Sequence, residues 1–467
     1  MKQIFRSRLS FLGAMTSTFV LAGIGAASAE TLESALARAY VNNPTLNAQR
    51  ASVRATDENV GRAKAGYRPQ VTATADAGRT FSDFETPSRG RIPNSNSIER
   101  LYPRGYGVQV DQSIFNGFRT VNSVRQAESS VLGSRETLTN EEQNTLFDAA
   151  QSYMNVLRDT AILDLQRNNV EVLDEQLRQT RDRFNVGEVT RTDVAQSESR
   201  LAAARSQVSL AEANLRTSVA TYRRVVGVEP KQLAPGRPLD RLLAANLDAT
   251  LKIALNEHPA IKAALHSVDV AELQVKIEEG ALAPQLGVRG AVSERYDSQQ
   301  TGDQSLNASI VAQLTVPIYD GGLAYASTRQ AKETAGQRRL EADSIRDQVR
   351  AAVISSWGQL EAARAQIVAA QAQVEAAEVA LNGVREEARV GQRTTLDVLN
   401  AQQELLNARV TLITAQRDRV VASYAVVQAS GRLNSRAMGL AVNHYNAKTH
   451  FDQVKDAWFG LTTPDGR

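Results

Sequence analysis

Seven-residue spacing of large apolar residues marks the longest stretches of the chain, on either side of Gly187 and Gly391. This repeat is typical of helices that pack as a left-handed coiled coil. We therefore predict two helical hairpins, over 119–226 and 322–430, each turning at one of the two glycines. The columns before the glycines are Val156, Leu163, Val170, Leu177 and Phe184 in the first hairpin and Val353, Leu360, Ile367, Val374 and Leu381 in the second.

Four shorter stretches alternate between apolar and polar residues, which predicts strands with one apolar and one polar face. They form two pairs, 69–80 with 106–115 and 285–297 with 305–317. The polar segment 81–105 contains three prolines and is predicted to be a loop.

The chain contains an internal duplication. LARAYVNNP at 36–44 is similar to LKIALNEHP at 251–259, and each copy lies in a predicted helix that precedes a strand pair and a hairpin. The first copy is longer because of an insertion between residues 70 and 114. The predicted division is a first repeat over 30–230, a linker over 231–247, a second repeat over 248–433, and a tail over 434–467 that matches neither repeat.

Residues 1–29 have the features of a secretory signal peptide. Lys2, Arg6 and Arg8 precede an apolar stretch, and Ala27-Ser28-Ala29 fits the small-x-small cleavage pattern. A transmembrane anchor is the alternative, but several glycines and hydroxyl residues interrupt the stretch. No other run approaches the roughly 18 apolar residues that a spanning helix needs. Any further membrane crossing would therefore use strands.

Composition excludes several classes of function. The 467 residues contain no cysteine and only four histidines, which excludes a disulfide framework and thiolate metal sites. We find no catalytic triad, paired carboxylates or phosphate-binding glycine loop, so we expect no enzyme and no cofactor. The net charge of +3 comes from the three basic residues of the signal peptide: without them, 51 basic residues balance 51 acidic ones. A nucleic-acid partner is therefore not expected.

Four strands are too few to close a barrel, and the edges of an open sheet cannot face lipid. A membrane wall built from this chain would need several copies, and the strand pattern alone does not choose between two and three. Aromatic residues bracket the strands of the first half, as expected of a belt at a membrane interface. The alternative explanation is that aromatic residues simply favour strands.

The two hairpin tips, NVGEVTRTDV at 185–194 and RVGQRTTLDV at 389–398, and the turns IFNG at 114–117 and IYDGG at 318–322 carry a resemblance. With the duplicated order of elements, they make the chain resemble the TolC-like outer-membrane efflux and secretion channel family from residue 31 to about 433.

This resemblance implies a mainly α fold with a small β part. It implies a homotrimer with one twelve-stranded transmembrane β-barrel in the outer membrane of a Gram-negative cell and an α-helical barrel in the periplasm. It also implies an exit duct for a tripartite efflux pump or a type I secretion system. The expected partners are outer-membrane lipid, a periplasmic adaptor, and an inner-membrane pump or ABC transporter.

The resemblance also assigns roles to the tips. The docking site for the adaptor is expected at Val186, Gly187, Thr190, Val390, Gly391 and Thr394. The periplasmic entrance is expected to be held shut around Asp193, Arg393, Asp397, Asn400 and Ala388. Two of these residues depart from the family pattern, since Asn400 replaces a second acid and Ala388 replaces a tyrosine that links the tips. Weaker cation selection and looser closure are therefore expected.

Simpler interpretations remain open. Asp193 and Asp397 are also suitable as acids in the first turn of a helix, and Thr190 or Thr192, with Thr394 or Thr395, as N-caps. The chain could also be a periplasmic adaptor or a coiled-coil scaffold without a pore. An adaptor would have one hairpin and separate β-rich modules. Arg419 interrupts an apolar column, and the sequence offers no reason for it.

Overall fold

The computed structural model describes residues 30–86 and 95–466; the predicted signal peptide, 1–29, lies outside the described residues. The fold class predicted from the sequence, mainly α with a small β part, is confirmed. The helices are α1 (Leu32–Asn42), α2 (Pro44–Lys64), α3 (Arg119–Asn185), α4 (Arg191–Val226), α5 (Leu247–Glu257), α6 (Pro259–Glu279), α7 (Leu323–Arg389), α8 (Thr395–Ala429) and α9 (Ala447–Val454). The strands are β1 (Gln70–Ala77), β2 (Thr80–Thr86), β3 (Ser95–Leu101), β4 (Arg104–Asn116), β5 (Gln285–Tyr296) and β6 (Gln304–Thr315).

The two longest helices, α3 and α7, have 67 residues each. At about 1.5 Å per residue each extends roughly 100 Å. α3 packs against α4 and α7 against α8, so the chain forms two hairpins. Leu163, Leu177, Leu360 and Leu381 of the seven-residue columns are buried, because these columns face the partner helices. None of the helices in the described part of the chain has the length and hydropathy needed to cross a membrane.

The two halves share one antiparallel sheet with the strand order β1-β4-β5-β6. β4 of the first half pairs with β5 of the second, from Arg104 opposite Tyr296 to Asn116 opposite Gln285. β1 and β6 are the edges. Within the described residues, nothing covers the apolar face of β6, where Leu306, Ile310 and Leu314 are 70%, 85% and 63% exposed.

The prediction of a loop over 81–105 is wrong. β2 and β3 form a second hairpin within this segment, beginning with Thr80 opposite Leu101. Only the connection 87–94, with two of the prolines, lies outside the described residues. A strand pair satisfies the polar backbone groups of a long insertion, whereas an open loop exposes them all to water. The predicted strand 69–80 is also too long, because the Gly78 N–H donates to the Pro103 carbonyl (2.8 Å) and β1 ends before it.

The main core lies where the middle of α3 meets α1 and the ends of α4 and α8. Glu30 is held there by α1 and the end of α4: its carboxylate accepts hydrogen bonds from the Tyr222 hydroxyl of α4 (2.9 Å) and the Arg38 guanidinium of α1 (2.9 Å). The Tyr153 hydroxyl bonds the Glu30 carbonyl oxygen (2.7 Å). Burial raises the pKa of Tyr153 to about 12, and burial with the Glu30 carboxylate raises the pKa of Tyr222 further. Both phenols therefore remain hydrogen-bond donors at any physiological pH.

The linker and the tail both pack against the helices. Arg419 donates to both carboxylate oxygens of Asp240 in the linker, at 2.6 and 2.8 Å, which accounts for a charge in an apolar column. In the tail, Met438 and Leu440 are buried in the main core, and α9 packs on α2.

We expect Tyr222→Phe to destabilise the protein by about 1–3 kcal/mol, since the buried Glu30 carboxylate loses a donor while the ring is retained. Thermal unfolding of the purified protein followed by circular dichroism measures this. Tyr319→Phe is the control, since its ring is 78% exposed. An equal effect of the two substitutions would contradict the role given to Tyr222.

Candidate functional site: the paired hairpin tips

Each hairpin ends in a five-residue turn with exposed apolar side chains. Gly187 and Gly391 have φ of +82° and +78°, the left-handed conformation that favours glycine, and open space surrounds both. The preceding residues, Val186 and Val390, are 73% and 72% exposed. The two tips therefore expose an apolar side chain at equivalent places.

A capping box begins the returning helix of each hairpin. The Asp193 N–H donates to the Thr190 hydroxyl (3.3 Å), and the Asp193 carboxylate accepts from the Thr190 N–H (2.9 Å). Thr394 and Asp397 repeat this arrangement at 3.2 and 3.0 Å. Thr190 and Thr394 are thus the N-caps, rather than Thr192 and Thr395.

The capping boxes also fix the charge of both aspartates. Hydrogen bonds from the side chain and backbone of Thr190 lower the pKa of Asp193, and those of Thr394 lower the pKa of Asp397. Both carboxylates are therefore ionised at neutral pH. Within one protomer each serves the start of its own helix, and their part in closing an entrance remains a prediction.

The other predicted entrance residues have separate surroundings. The Arg393 guanidinium donates to Glu387 at the end of α7 (2.8 Å), which is a link within the second hairpin. Ala388 packs against the apolar cluster of Leu381, Val398 and Leu405 between α7 and α8. A methyl group at this position fills the hairpin core and offers no polar link.

Asn400 does join the two hairpins, through a residue that the sequence did not single out. Its side-chain oxygen accepts a hydrogen bond from Arg200 of α4 (2.7 Å). Beside this bond, Leu399 packs among Leu173, Leu177 and Leu201 of the first hairpin. Arg200 and Asn400 are 200 positions apart, so no local pattern could have identified the pair.

A groove of about 750 Å³ runs between the two tips. Its walls carry both signs of charge, with Glu171, Glu175 and Glu188 from the first hairpin and Arg385, Arg389 and Arg393 from the second. No group of histidine and acidic residues in 30–86 or 95–466 is arranged to hold a metal ion. The two sides of the groove present charged groups to each other across polar space.

The chain was compared with known proteins. A family model described as outer membrane efflux protein matches residues 35–228 and 250–432. Outer membrane efflux protein BepC of Brucella suis biovar 1 is 44% identical over 455 residues, covering 97% of this chain and 96% of BepC. Outer membrane protein TolC of Escherichia coli K12 is 26% identical over 440 residues, covering 90% of this chain and 86% of TolC.

The fold is similar to that of a solved channel. The crystal structure of the Campylobacter jejuni CmeC outer membrane channel has a TM-score of 0.76 at 16% identity, covering 91% of this chain and 89% of that one. At this identity the similarity shows the fold alone.

We expect Arg200→Ala to loosen the contact between the hairpins, because the bond to Asn400 contributes about 0.5–1.5 kcal/mol. The chain has no native cysteine, so spin labels at Glu188→Cys and Gln392→Cys report the distance between the tips specifically. Diluting the labelled chain with unlabelled chain isolates pairs within one protomer. The distance distribution should broaden in Arg200→Ala.

Arg205→Ala is the matched control. Arg205 lies on the same helix and pairs with Asp174 (3.5 Å) inside the first hairpin. If the two variants broadened the distribution equally, Arg200 would have no special part in joining the hairpins.

Proposed function

Because the chain belongs to the outer membrane efflux protein family, we propose that it is the exit duct of a tripartite export system, passing drugs, other small molecules or unfolded protein from the periplasmic side to the exterior. The observation that carries this proposal is the continuity of two parts. A sheet with an exposed apolar face joins, through short turns, two helices of roughly 100 Å. The apolar face of the sheet is suited to contact with lipid, and the two long helices are suited to form a tube through the periplasm. Members of this family are channels, and the chain is not an enzyme.

The duct is formed by a homotrimer. Each protomer has the two sheet edges β1 and β6, and lipid cannot satisfy their backbone groups. Pairing β6 of one copy with β1 of the next removes both edges of this four-stranded sheet, and three copies give twelve strands. The family implies the trimer, and the exposed apolar face of β6 supports contact with outer-membrane lipid.

The tips bind a periplasmic adaptor, and an inner-membrane pump or ABC transporter supplies the energy. The exposed Val186-Gly187 and Val390-Gly391 turns support this assignment, as does the mixed charge of the groove between them. Thr190 and Thr394 contribute by fixing the start of each returning helix. The Asp193 and Asp397 carboxylates, with Arg393 near the second, lie close to the entrance.

A periplasmic adaptor or a scaffold without a pore is less well supported. An adaptor would keep its strands in separate modules, whereas here strands from both halves pair within one sheet. Two experiments test the main proposal. The purified oligomer in lipid bilayers should conduct ions, and a deletion strain should become susceptible to drugs or lose the secretion of a protein toxin. A purified oligomer that never conducts would favour the scaffold.

We expect Val186→Asp with Val390→Asp to abolish export without affecting the channel. A carboxylate in an apolar contact should weaken adaptor binding about tenfold or more, roughly 1.4 kcal/mol. Drug susceptibility of the complemented deletion strain measures the effect, and outer-membrane content and bilayer conductance should stay unchanged. Val41→Asp on α1 is the control, since Val41 is 51% exposed and far from the tips. Full export by the double variant would exclude the valines from the docking site.

We also expect weak cation selectivity, because Asn400 provides no charge and bonds the Arg200 guanidinium. Asn400→Asp alone should change the selectivity little, since Arg200 would pair with the new carboxylate. Asn400→Asp with Arg200→Gln should raise cation selectivity and introduce block by trivalent cations, because the trimer gains three carboxylates and loses the three guanidinium groups that would neutralise them. Reversal potentials in bilayers measure this. Strong selectivity in the unaltered channel would contradict the proposal.

A further inference from the structure

The segment from α9 to residue 466 runs along α2 and is attached to it at several points. His450 of α9 lies 3.0 Å from the Asp57 carboxylate of α2, and both side chains are buried. Further along, the Lys64 ammonium pairs with Asp456 (2.6 Å). The segment thus follows α2 in the direction of β1.

The segment then reverses direction. Arg68, just before β1, donates to the Ala457 carbonyl (2.8 Å), and its guanidinium lies 4.6 Å from the centre of the Trp458 ring. By Asp465 the chain is back beside Arg54, with 3.6 Å between the charged groups. Arg54 lies roughly 15 Å further back along α2 than Lys64. Residues 457–461 therefore form the apex of a loop that points toward the sheet.

The apex is apolar and uncovered. Trp458, Phe459 and Leu461 are 59%, 92% and 104% exposed. Elsewhere the protomer buries large apolar groups of the tail, such as Met438 and Leu440. Three large apolar residues exposed together usually mark a surface that contacts another molecule or a membrane.

The apex lies level with the helix-side ends of the strands. Arg68 is two residues before β1, and the neighbouring Tyr67 carbonyl accepts a hydrogen bond from Gln112 of β4 (3.2 Å). Exposed aromatic residues lie at the same junction between strands and helices, among them Tyr67, Phe118 and Tyr319. An aromatic belt at this level is typical of the boundary between lipid and water.

We propose that Trp458, Phe459 and Leu461 insert into the periplasm-facing phospholipid leaflet of the outer membrane, as a non-covalent foot for each protomer. The orientation rests on the proposed function. An indole and two large apolar side chains suit the boundary of headgroups and acyl chains. The Arg68 guanidinium behind them suits a lipid phosphate. Because the tail is attached to α2 and to Arg68 before β1, this foot would hold all three at one level relative to the membrane.

The rival occupant is a second copy of this chain. α7 presents exposed Leu323 and Tyr325 close to β6, and a neighbouring protomer could cover the apex with these residues. An apex covered by a neighbouring protomer would be shielded from water but would not contact lipid. The two occupants therefore differ in a property that can be measured.

The chain has only two tryptophans, Trp357 and Trp458, so Trp357→Phe leaves Trp458 as the only indole fluorophore. We would reconstitute this trimer into phosphatidylethanolamine and phosphatidylglycerol vesicles, with acyl chains brominated close to the ester linkage. We expect blue-shifted emission and about a twofold loss of intensity compared with unbrominated lipid. Phe459→Asp with Leu461→Asp in the same background should shift the emission to the red and remove the quenching.

Trp458→Phe is the matched control, because the remaining Trp357 lies roughly 50 Å along α7 from Leu323 and should not be quenched. Blue-shifted emission that brominated lipid does not quench would assign the apex to a neighbouring protomer. Red emission quenched by aqueous acrylamide would leave it in water. Either result overturns the proposal. Conductance of the same vesicles tests the proposed function separately, since a conducting channel with unquenched Trp458 refutes only the foot.

Discussion

A sheet edge in lipid has backbone groups that nothing can satisfy, and this constraint governs the whole architecture. Each protomer contributes four strands and two edges, β1 and β6. Four strands cannot close a barrel, so one copy cannot build the barrel wall by itself. The placement of the long helices follows from the sheet, because α3 begins three residues after β4 and α7 eight residues after β6. A closed ring of strands thus determines how the long helices are placed around an axis.

A helical sleeve roughly 100 Å long has little room for a globular core. The largest apolar cluster is concentrated where α1, the linker and the tail meet the long hairpins. Buried polar groups fix the geometry at this level. Glu30 connects α1 with Tyr153 and Tyr222 of the first hairpin, and Asp57 of α2 meets His450 of the tail. Burial raises the pKa of Asp57, and the hydrogen bond with His450 opposes this shift.

The two tips begin their returning helices alike but are stabilised differently. Both have a left-handed glycine and a capping box, so the local backbone is duplicated with the sequence. The contact between the hairpins is not duplicated. Leu399 and Asn400 of the second hairpin meet the first, and Arg200 donates across the junction. The backbone of the tips thus follows the duplication of the sequence, whereas the link between the hairpins does not.

The sequence by itself determined the features that depend on neighbours within a turn or two: the seven-residue columns, the alternating strands, the glycine turns and the presence of a threonine cap at the start of each returning helix. Their physics is local, since periodicity selects the buried face and a cap needs only the next few N–H groups. The structure chose Thr190 over Thr192 as the N-cap through its local capping box with Asp193. The tertiary structure gave Arg419 its partner Asp240 and placed β2 and β3 where a loop was expected. It also brought Arg200 to Asn400 and folded the tail along α2. The two pairings join residues about 180 and 200 positions apart. Such contacts exist only once helices have packed, and no local spacing encodes which side chains will then meet.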